Sequence, residues 1–434
     1  MLLKQATPIH LSHSREARLT TYKNGVDSLK MPRIPKPRGQ LPCACWSPLV
    51  TDNGQPIDID SKAVHSRLLP PLLKGSKNMT SIEAIPATTR AAITREFSMV
   101  ADVADYPLKQ PSELAPGECI LKLECTGVCH TDLHFMNGEW RIFPRLPSVG
   151  GHEGVGHVVA IGAHSRSGVI KLGDRVGTKY VVDSCLQCEM CRRGFEQNCA
   201  DRVISGYHVD GTFAQYMVAY LDHLIPIPKE LPSVEAAPIL CAGVTVYNIL
   251  KQLTDTPPGG WVVVHGAGGG LGHLGIQYAK AFGYRVLAID SGVEKRDLCL
   301  SVGAEKFLDF KDTTDLVADV KRLTDPLGAH AALITTHAGG AYVQAAFYIR
   351  AHGTVMCLGA AQEVSGLPMA LIIDQGIKYI ASQTGGRQAV YEALALAAQG
   401  RVRCHVVQRP LEEINSVFED MCKGKLAGRV VVTF

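Results

Sequence analysis

The sequence predicts an α/β fold of two domains, one mostly β and one a doubly wound parallel sheet, behind an N-terminal extension. Length is the first observation, because 434 residues exceed one ordinary hydrophobic core. The second is a change of pattern: strand-like runs predominate from about Met79 to Cys241 and helical spacing is scarce, whereas strands and helices alternate from Thr254 onward. The third is a glycine-rich turn, Gly266 to Gly272, set between a strand-like run and a helical one.

Residues 1–78 read as the extension. They hold nine prolines and no sustained apolar period, so they can bury too little surface to offset the entropy of ordering. They carry twelve Lys and Arg against five Asp and Glu, a surplus of +7; with +3 for the whole chain, the remainder is −4. A nucleic-acid partner would need its basic surface on the folded part, so none is expected. Eight basic and two acidic residues in the first forty leave two readings of this segment. It is either a presequence, which would make the compartment mitochondrial, or an upstream translation that the working protein lacks, with Met79 as the start. No apolar signal core follows the amino terminus, so the 14 cysteines point to a reducing compartment, taken as cytoplasmic. No uninterrupted apolar run of about 18 residues is present, so a membrane span is not expected.

Residues 79–241 form the mostly-β domain, with strands expected at Cys119–Glu124 and Val155–Ile161. Between them lies Cys129-His130-Thr131-Asp132-Leu133-His134, and then His152-Glu153 within a glycine-rich turn. A thiolate and an imidazole bind zinc readily, and a catalytic zinc takes three protein ligands plus one open position. Cys129 and His152 supply two candidates, and Cys241, just ahead of the nucleotide-binding pattern, is the best third. Asp132 is placed to accept the second ring N–H of a ligating histidine and fix its tautomer.

The most specific spacing follows in Cys185, Cys188, Cys191 and Cys199. Four thiolates in fifteen residues can close a tetrahedral zinc, and the residues between Cys191 and Cys199 are mostly polar, so the loop 185–199 would take its shape from the metal. An iron–sulfur cluster competes, but the bacterial cluster spacing sets its fourth cysteine after three residues and follows it with proline, where Ala200 stands here.

Residues 242–380 form the parallel-sheet domain. Trp261–Val264 is a buried-type strand; Leu271, Leu274, Tyr278 and Phe282 keep helical spacing; Arg285–Asp290 is the next strand. Gly266, Gly269, Gly270, Leu271 and Gly272 at the strand-to-helix turn let a pyrophosphate approach a helix N-terminus. Asp290 would accept hydrogen bonds from an adenosine ribose and repel a 2′-phosphate, which favours NAD over NADP, although Lys295 and Arg296 nearby weaken that preference. Strands at Ala331–Thr335 and Gly353–Gly359 flank a helix near Gly340–Ile349. The last helix is expected at Gln388–Gln399, with two short strands after it, and residues 381–434 are assigned to completing the first domain.

Together these motifs resemble the zinc-dependent medium-chain alcohol dehydrogenases, most closely the fungal tetrameric branch, over about residues 95–434. The resemblance implies a GroES-like catalytic domain on a Rossmann NAD-binding domain, two zinc ions per subunit, NAD, and a homotetramer acting reversibly on small primary alcohols and aldehydes. It implies that Cys129, His152 and Cys241 hold a catalytic zinc with Glu153 as support or alternate ligand, and that Cys185, Cys188, Cys191 and Cys199 hold a structural one. By the same resemblance His130 and Arg387 meet the pyrophosphate, Thr245 packs on the nicotinamide, and Thr131 and His134 form a proton relay. Trp140, Tyr180 and Ala360 would line the substrate pocket, roomier because many relatives carry methionine at the last position. Two other readings of the same fold are a zinc-free quinone or enoyl reductase and a non-catalytic dinucleotide-binding protein; the intact ligand candidates weigh against both.

Overall fold

The computed structural model describes residues 84–139, 145–166, 168–361 and 363–434. The extension 1–78 and Trp140 therefore lie outside the described residues. In the first domain the strand Glu118–Gly127 is the centre of a seven-stranded sheet. One of its edges pairs antiparallel with Gly154–Ile161; the other pairs with Tyr216–Tyr220 and, at its far end, with Arg429–Thr433 from the C-terminus. Val431 faces Gly127 in that register, so the last strand of the chain lies against the segment that leads into Cys129.

Helix enters this domain earlier than the apolar spacing indicates. His130–Met136 is helical, with Cys129 extended at its N-cap and its backbone N–H donating to Asp132 Oδ2 at 2.9 Å. The chain leaves the strand and turns into helix at Cys129, and this places the thiol beside the helix start.

A single helical run, Ser233–Leu250, joins the two domains. By length and composition alone it could cross a membrane, with mean hydropathy 1.4 over 18 residues, but 72% of it is buried in the protein. It is a core helix: Leu240, Val244 and Val246 pack in one apolar core with Cys125 and Val155 of the antiparallel sheet and Val262 and Val264 of the parallel one. Its middle turn, Ile239–Gly243, is a π-helix that follows Pro238. A π turn inserts one extra residue into the ladder, and here it carries Cys241.

The second domain is a six-stranded parallel sheet, Trp261–His265, Arg285–Asp290, Lys306–Asp309, Ala329–Ile334, Ile349–Cys357 and Lys378–Ala381, in the spatial order third, second, first, fourth, fifth, sixth. The order reverses between the first and fourth strands, and a ligand crevice opens outside their carboxyl ends. The turn after Trp261–His265 lies at that point and leads into the helix Gly272–Ala281. The expectation for the C-terminus needs one correction. Arg387–Ala398 is not the last helix, because Ile414–Cys422 is helical between the strands Val406–Pro410 and Arg429–Thr433. Ile414, Val417, Phe418 and Met421 recur on one face and are buried against Leu133 and Phe213 of the first domain.

Candidate active site

The four cysteines of the lobe converge as their spacing requires. Their sulfurs all lie within 4.8 Å of one another, with Cys185 Sγ at 3.9 Å from Cys191 Sγ and 3.6 Å from Cys199 Sγ. A disulfide would be near 2.05 Å, whereas a tetrahedral zinc with bonds of about 2.3 Å sets sulfurs about 3.8 Å apart. The donor set and its spacing fit zinc. Backbone N–H groups point at the sulfurs: Cys188 N donates to Cys185 Sγ at 3.3 Å and Cys191 N to Cys188 Sγ at 3.5 Å. Such bonds favour the thiolate, and the amides of Gln187 and Cys188 bring the Cys185 thiol down to about 7.

The second cluster forms where the chain ends of three elements meet. Cys129 comes from the helix start, His152 and Glu153 from the turn before Gly154–Ile161, and Cys241 from the π turn; one ligand atom of each lies within 4.8 Å of the others. His152 is fully buried, with Nε2 at 3.3 Å from Cys241 Sγ and Nδ1 at 2.8 Å from Asp132 Oδ1. Asp132 thus orients the ring that faces the cluster and also caps Cys129. Cys241 and His152 together hold the Cys129 thiol well below its usual range, while Cys241 itself is pushed well up. One thiolate, one imidazole and one thiol that would ionise on metal binding form a set suited to zinc.

Beneath this cluster lies a side chain with no counterpart among the residues singled out from the sequence. Arg429, at the start of the last strand, is buried and its Nη2 donates to Glu153 Oε1. Glu153 Oε2 is buried without a hydrogen-bond partner among the described residues. Burial raises the Glu153 carboxyl to about 7, against the pull of Arg429.

The cluster opens into a cleft of about 380 Å³ that also reaches the glycine turn. Its walls include Thr131, Tyr180, Thr245, Gly270, Ala360 and Arg429. Gly272 has no room for a side chain, since a Cβ there would meet Gly266 O at 2.1 Å; the turn can close only with glycine. Asp290 ends its strand with Oδ2 accepting from Gly268 N at 2.9 Å, and Lys295 Nζ lies 3.4 Å from its other oxygen. Lys295, His130, Gly269 and Arg429 line an adjoining groove of about 160 Å³. Burial lowers the affinity of His130 for a proton.

Residues 115–229 match the Alcohol dehydrogenase GroES-like domain and residues 270–399 the Zinc-binding dehydrogenase domain. Alcohol dehydrogenase 1 of Emericella nidulans is 42% identical over 345 residues, covering 78% of this chain and 98% of that one. The alcohol dehydrogenase of Rhizobium meliloti is 41% identical, covering 80% and 98%. The chain belongs to the zinc-binding medium-chain alcohol dehydrogenases. Among solved structures, the alcohol dehydrogenase of Aeropyrum pernix aligns with a TM-score of 0.73 at 29% identity, covering 79% of this chain and 99% of that one. An acetophenone reductase from Geotrichum candidum, solved in complex with NAD, aligns with a TM-score of 0.71 at 26% identity, covering 81% and 99%.

Within that family frame, one site residue stands elsewhere than the resemblance implied. Arg387 does not line the cleft. Its backbone N and Nε donate to Glu196 Oε1 at 2.6 and 3.1 Å and its Nη1 to Asp222 O at 2.7 Å, so it is tied to the cysteine lobe. The arginine in the cleft is Arg429, whose Cδ lies 2.6 Å from where a Cβ on Gly270 would stand. His134, given as the outer end of a proton relay, is partly exposed off the cleft lining, with Nδ1 at 2.5 Å from Glu139 Oε2. Ser382, Gln383 and Thr384 form a cleft wall that the sequence did not announce. The one signal for Arg429 was a cation entering an otherwise apolar strand, Arg429-Val430-Val431-Val432.

Proposed function

We propose that the protein is an NAD-dependent zinc alcohol dehydrogenase that interconverts small primary alcohols and aldehydes. The observation that carries the reading is the opening of the Cys129, His152 and Cys241 cluster into the same cleft as the glycine turn. The names of the relatives agree with it, and one neighbour was solved with NAD.

Cys129, His152 and Cys241 would hold the catalytic zinc, and the four lobe cysteines a second, structural one. When bound, zinc polarises an alcohol oxygen and lowers its pKa, and the nicotinamide supplies the two-electron acceptor. The chain's own part is geometric and protonic. Asp132 fixes the His152 tautomer, and Arg429 balances charge on Glu153 behind the cluster. Thr131, in the cleft wall, would take the alcohol's hydroxyl proton at its Oγ1 while releasing its own, and His134, paired with Glu139 near the surface, would give up the relayed proton to solvent. His130, Lys295 and Arg429, which line the groove beside the glycine turn, would present cationic or N–H groups to a pyrophosphate, and Asp290, at the end of the neighbouring strand, would accept from a ribose. Ala360 leaves room beyond the reacting carbon, where each further methylene buried is worth about 0.8 kcal/mol.

The test is NAD reduction followed at 340 nm with ethanol, butanol and benzyl alcohol, alongside metal analysis of the purified protein. Two zinc ions per chain and turnover with NAD are expected. Full zinc occupancy without turnover of any alcohol or aldehyde would reject the reading.

A further inference from the structure

We propose that Glu196 is a positioning residue for the substrate cleft: from inside the cysteine lobe it holds, through Arg387, the segment 382–386 that forms one cleft wall. Glu196 is buried, and its Oε1 accepts from both the backbone N and the Nε of Arg387, the first residue of the helix Arg387–Ala398. The lobe backbone closes on the same place, since a Cβ on Gly386 would meet Gly194 O at 2.2 Å. Two residues before Gly386 stands Thr384, which lines the cleft.

Thr384 is held in a conformation that it would not adopt alone. Its φ is +41°, a left-handed value that a β-branched residue rarely takes, and it is buried with Oγ1 lacking a hydrogen-bond partner among the described residues. Such strain persists only where the surroundings impose it. Asn248 holds one side, donating to Ser382 Oγ at 2.9 Å and Thr384 O at 3.0 Å, and the Glu196–Arg387 clamp holds the other. A second link runs through adjacent residues on one strand exit. Lys179 is buried with no hydrogen-bond partner for its ammonium among the described residues and is attracted by Glu196, whereas Tyr180 lines the cleft and accepts from Gln383 Nε2 at 3.4 Å. The lobe and the wall thus share one charged hub, so disturbing Glu196 should change which alcohols fit before it changes the chemistry.

The inference rests on the proposed alcohol dehydrogenase activity for its main readout. In metal-loaded full-length protein, Glu196→Ala removes the clamp, Glu196→Gln keeps an acceptor oxygen without the charge, and Thr384→Gly relieves the wall from the other side. The ratio of kcat/KM for benzyl alcohol to that for ethanol should shift by about threefold or more in Glu196→Ala and less in Glu196→Gln. KM should move more than kcat, and zinc content should stay at the wild-type value. Thr384→Gly should shift the ratio in the same direction, and the double variant should fall short of the product of the two effects. An unchanged ratio in the Glu196 variants, or effects that multiply independently, would overturn the proposal. If Glu196→Ala does not fold, the cycle is run with Glu196→Gln. If the wild type turns over no alcohol, that loss belongs to the proposed function alone. Hydrogen exchange of the segment 382–386 then decides the positioning role: faster exchange in Glu196→Gln supports it, and unchanged exchange rejects it.

Discussion

Replacing Arg429 by methionine tests whether the cleft depends on its buried charge pair. Arg429 is 7% exposed and Glu153 0%, and among the described residues the Nη2 to Oε1 hydrogen bond is the one that Glu153's side chain makes, with Oε2 lacking a hydrogen-bond partner and His152 Nε2 3.9 Å from Oε1. Methionine retains the apolar stem against Gly270 and removes the guanidinium. At about pH 8.5, above the value near 7 to which burial raises Glu153, the carboxylate is then left buried without a counter-charge, which costs about 3–5 kcal/mol. Adding Glu153→Gln removes the second charge and leaves only an unsatisfied amide, a cost of about 1–3 kcal/mol. The double variant should therefore be the more stable of the two by about 2 kcal/mol. Urea midpoints of the metal-loaded wild type, both single variants and the double variant close the cycle. Arg429→Met should also raise the KM for NAD by about tenfold, through loss of one charge-assisted contact beside Gly270. A single variant within about 0.5 kcal/mol of wild type, or strict additivity, would refute the reasoning.

The two metal clusters should separate on mutation: Cys129→Ser should abolish turnover with the melting profile retained, whereas Cys188→Ser should lose lobe zinc and melt earlier. Equal losses of stability in the two would remove the division of roles. Asp290→Ser should narrow the preference for NAD over NADP, because the carboxylate that would meet a 2′-phosphate is gone; a wild type that already prefers NADP ends that assignment. His265 tests acid stability, since it is buried against the Tyr348 hydroxyl at 2.8 Å and burial lowers its pKa to about 4. Between about 6.5 and 4 the unfolded chain takes up a proton that the folded one refuses, so stability falls as pH falls, by about 3 kcal/mol across the window. His265→Phe keeps the ring contact and should flatten that slope in urea titrations at pH 7, 5.5 and 4.5; an unchanged slope would show that other groups set it.

How much was legible follows how local each feature is. The lobe cysteines lie within one loop, so their spacing already defines the cluster that the folded lobe displays. The strand Arg285–Asp290 and the helix Gly272–Ala281 occupy the places that their apolar periods indicate. The helix Ile414–Cys422 had a readable period in Ile414, Val417, Phe418 and Met421, but its nine residues lie between two strands. Arg387 and Arg429 show the opposite case. Each is a single arginine beside a glycine, and the one local signal, the cation at the head of the apolar strand Arg429-Val430-Val431-Val432, does not say which cleft that strand enters.

By itself the sequence determined the two-domain α/β architecture, the donor types and the glycine turn, because period, ligand spacing and steric need for glycine act over a few residues. Tertiary structure decided how the distant groups meet and which arginine joins them. Arg429 meets Glu153 across 276 positions because the last strand pairs with the one leading into Cys129. Cys241 reaches His152 because a π turn redirects it within a helix that would otherwise read as uniform core. Arg387 is drawn to Glu196 because burial leaves that carboxylate no solvent to pair with. Those outcomes depend on closing the chain into one core, and short-range spacing carries no information about that closure.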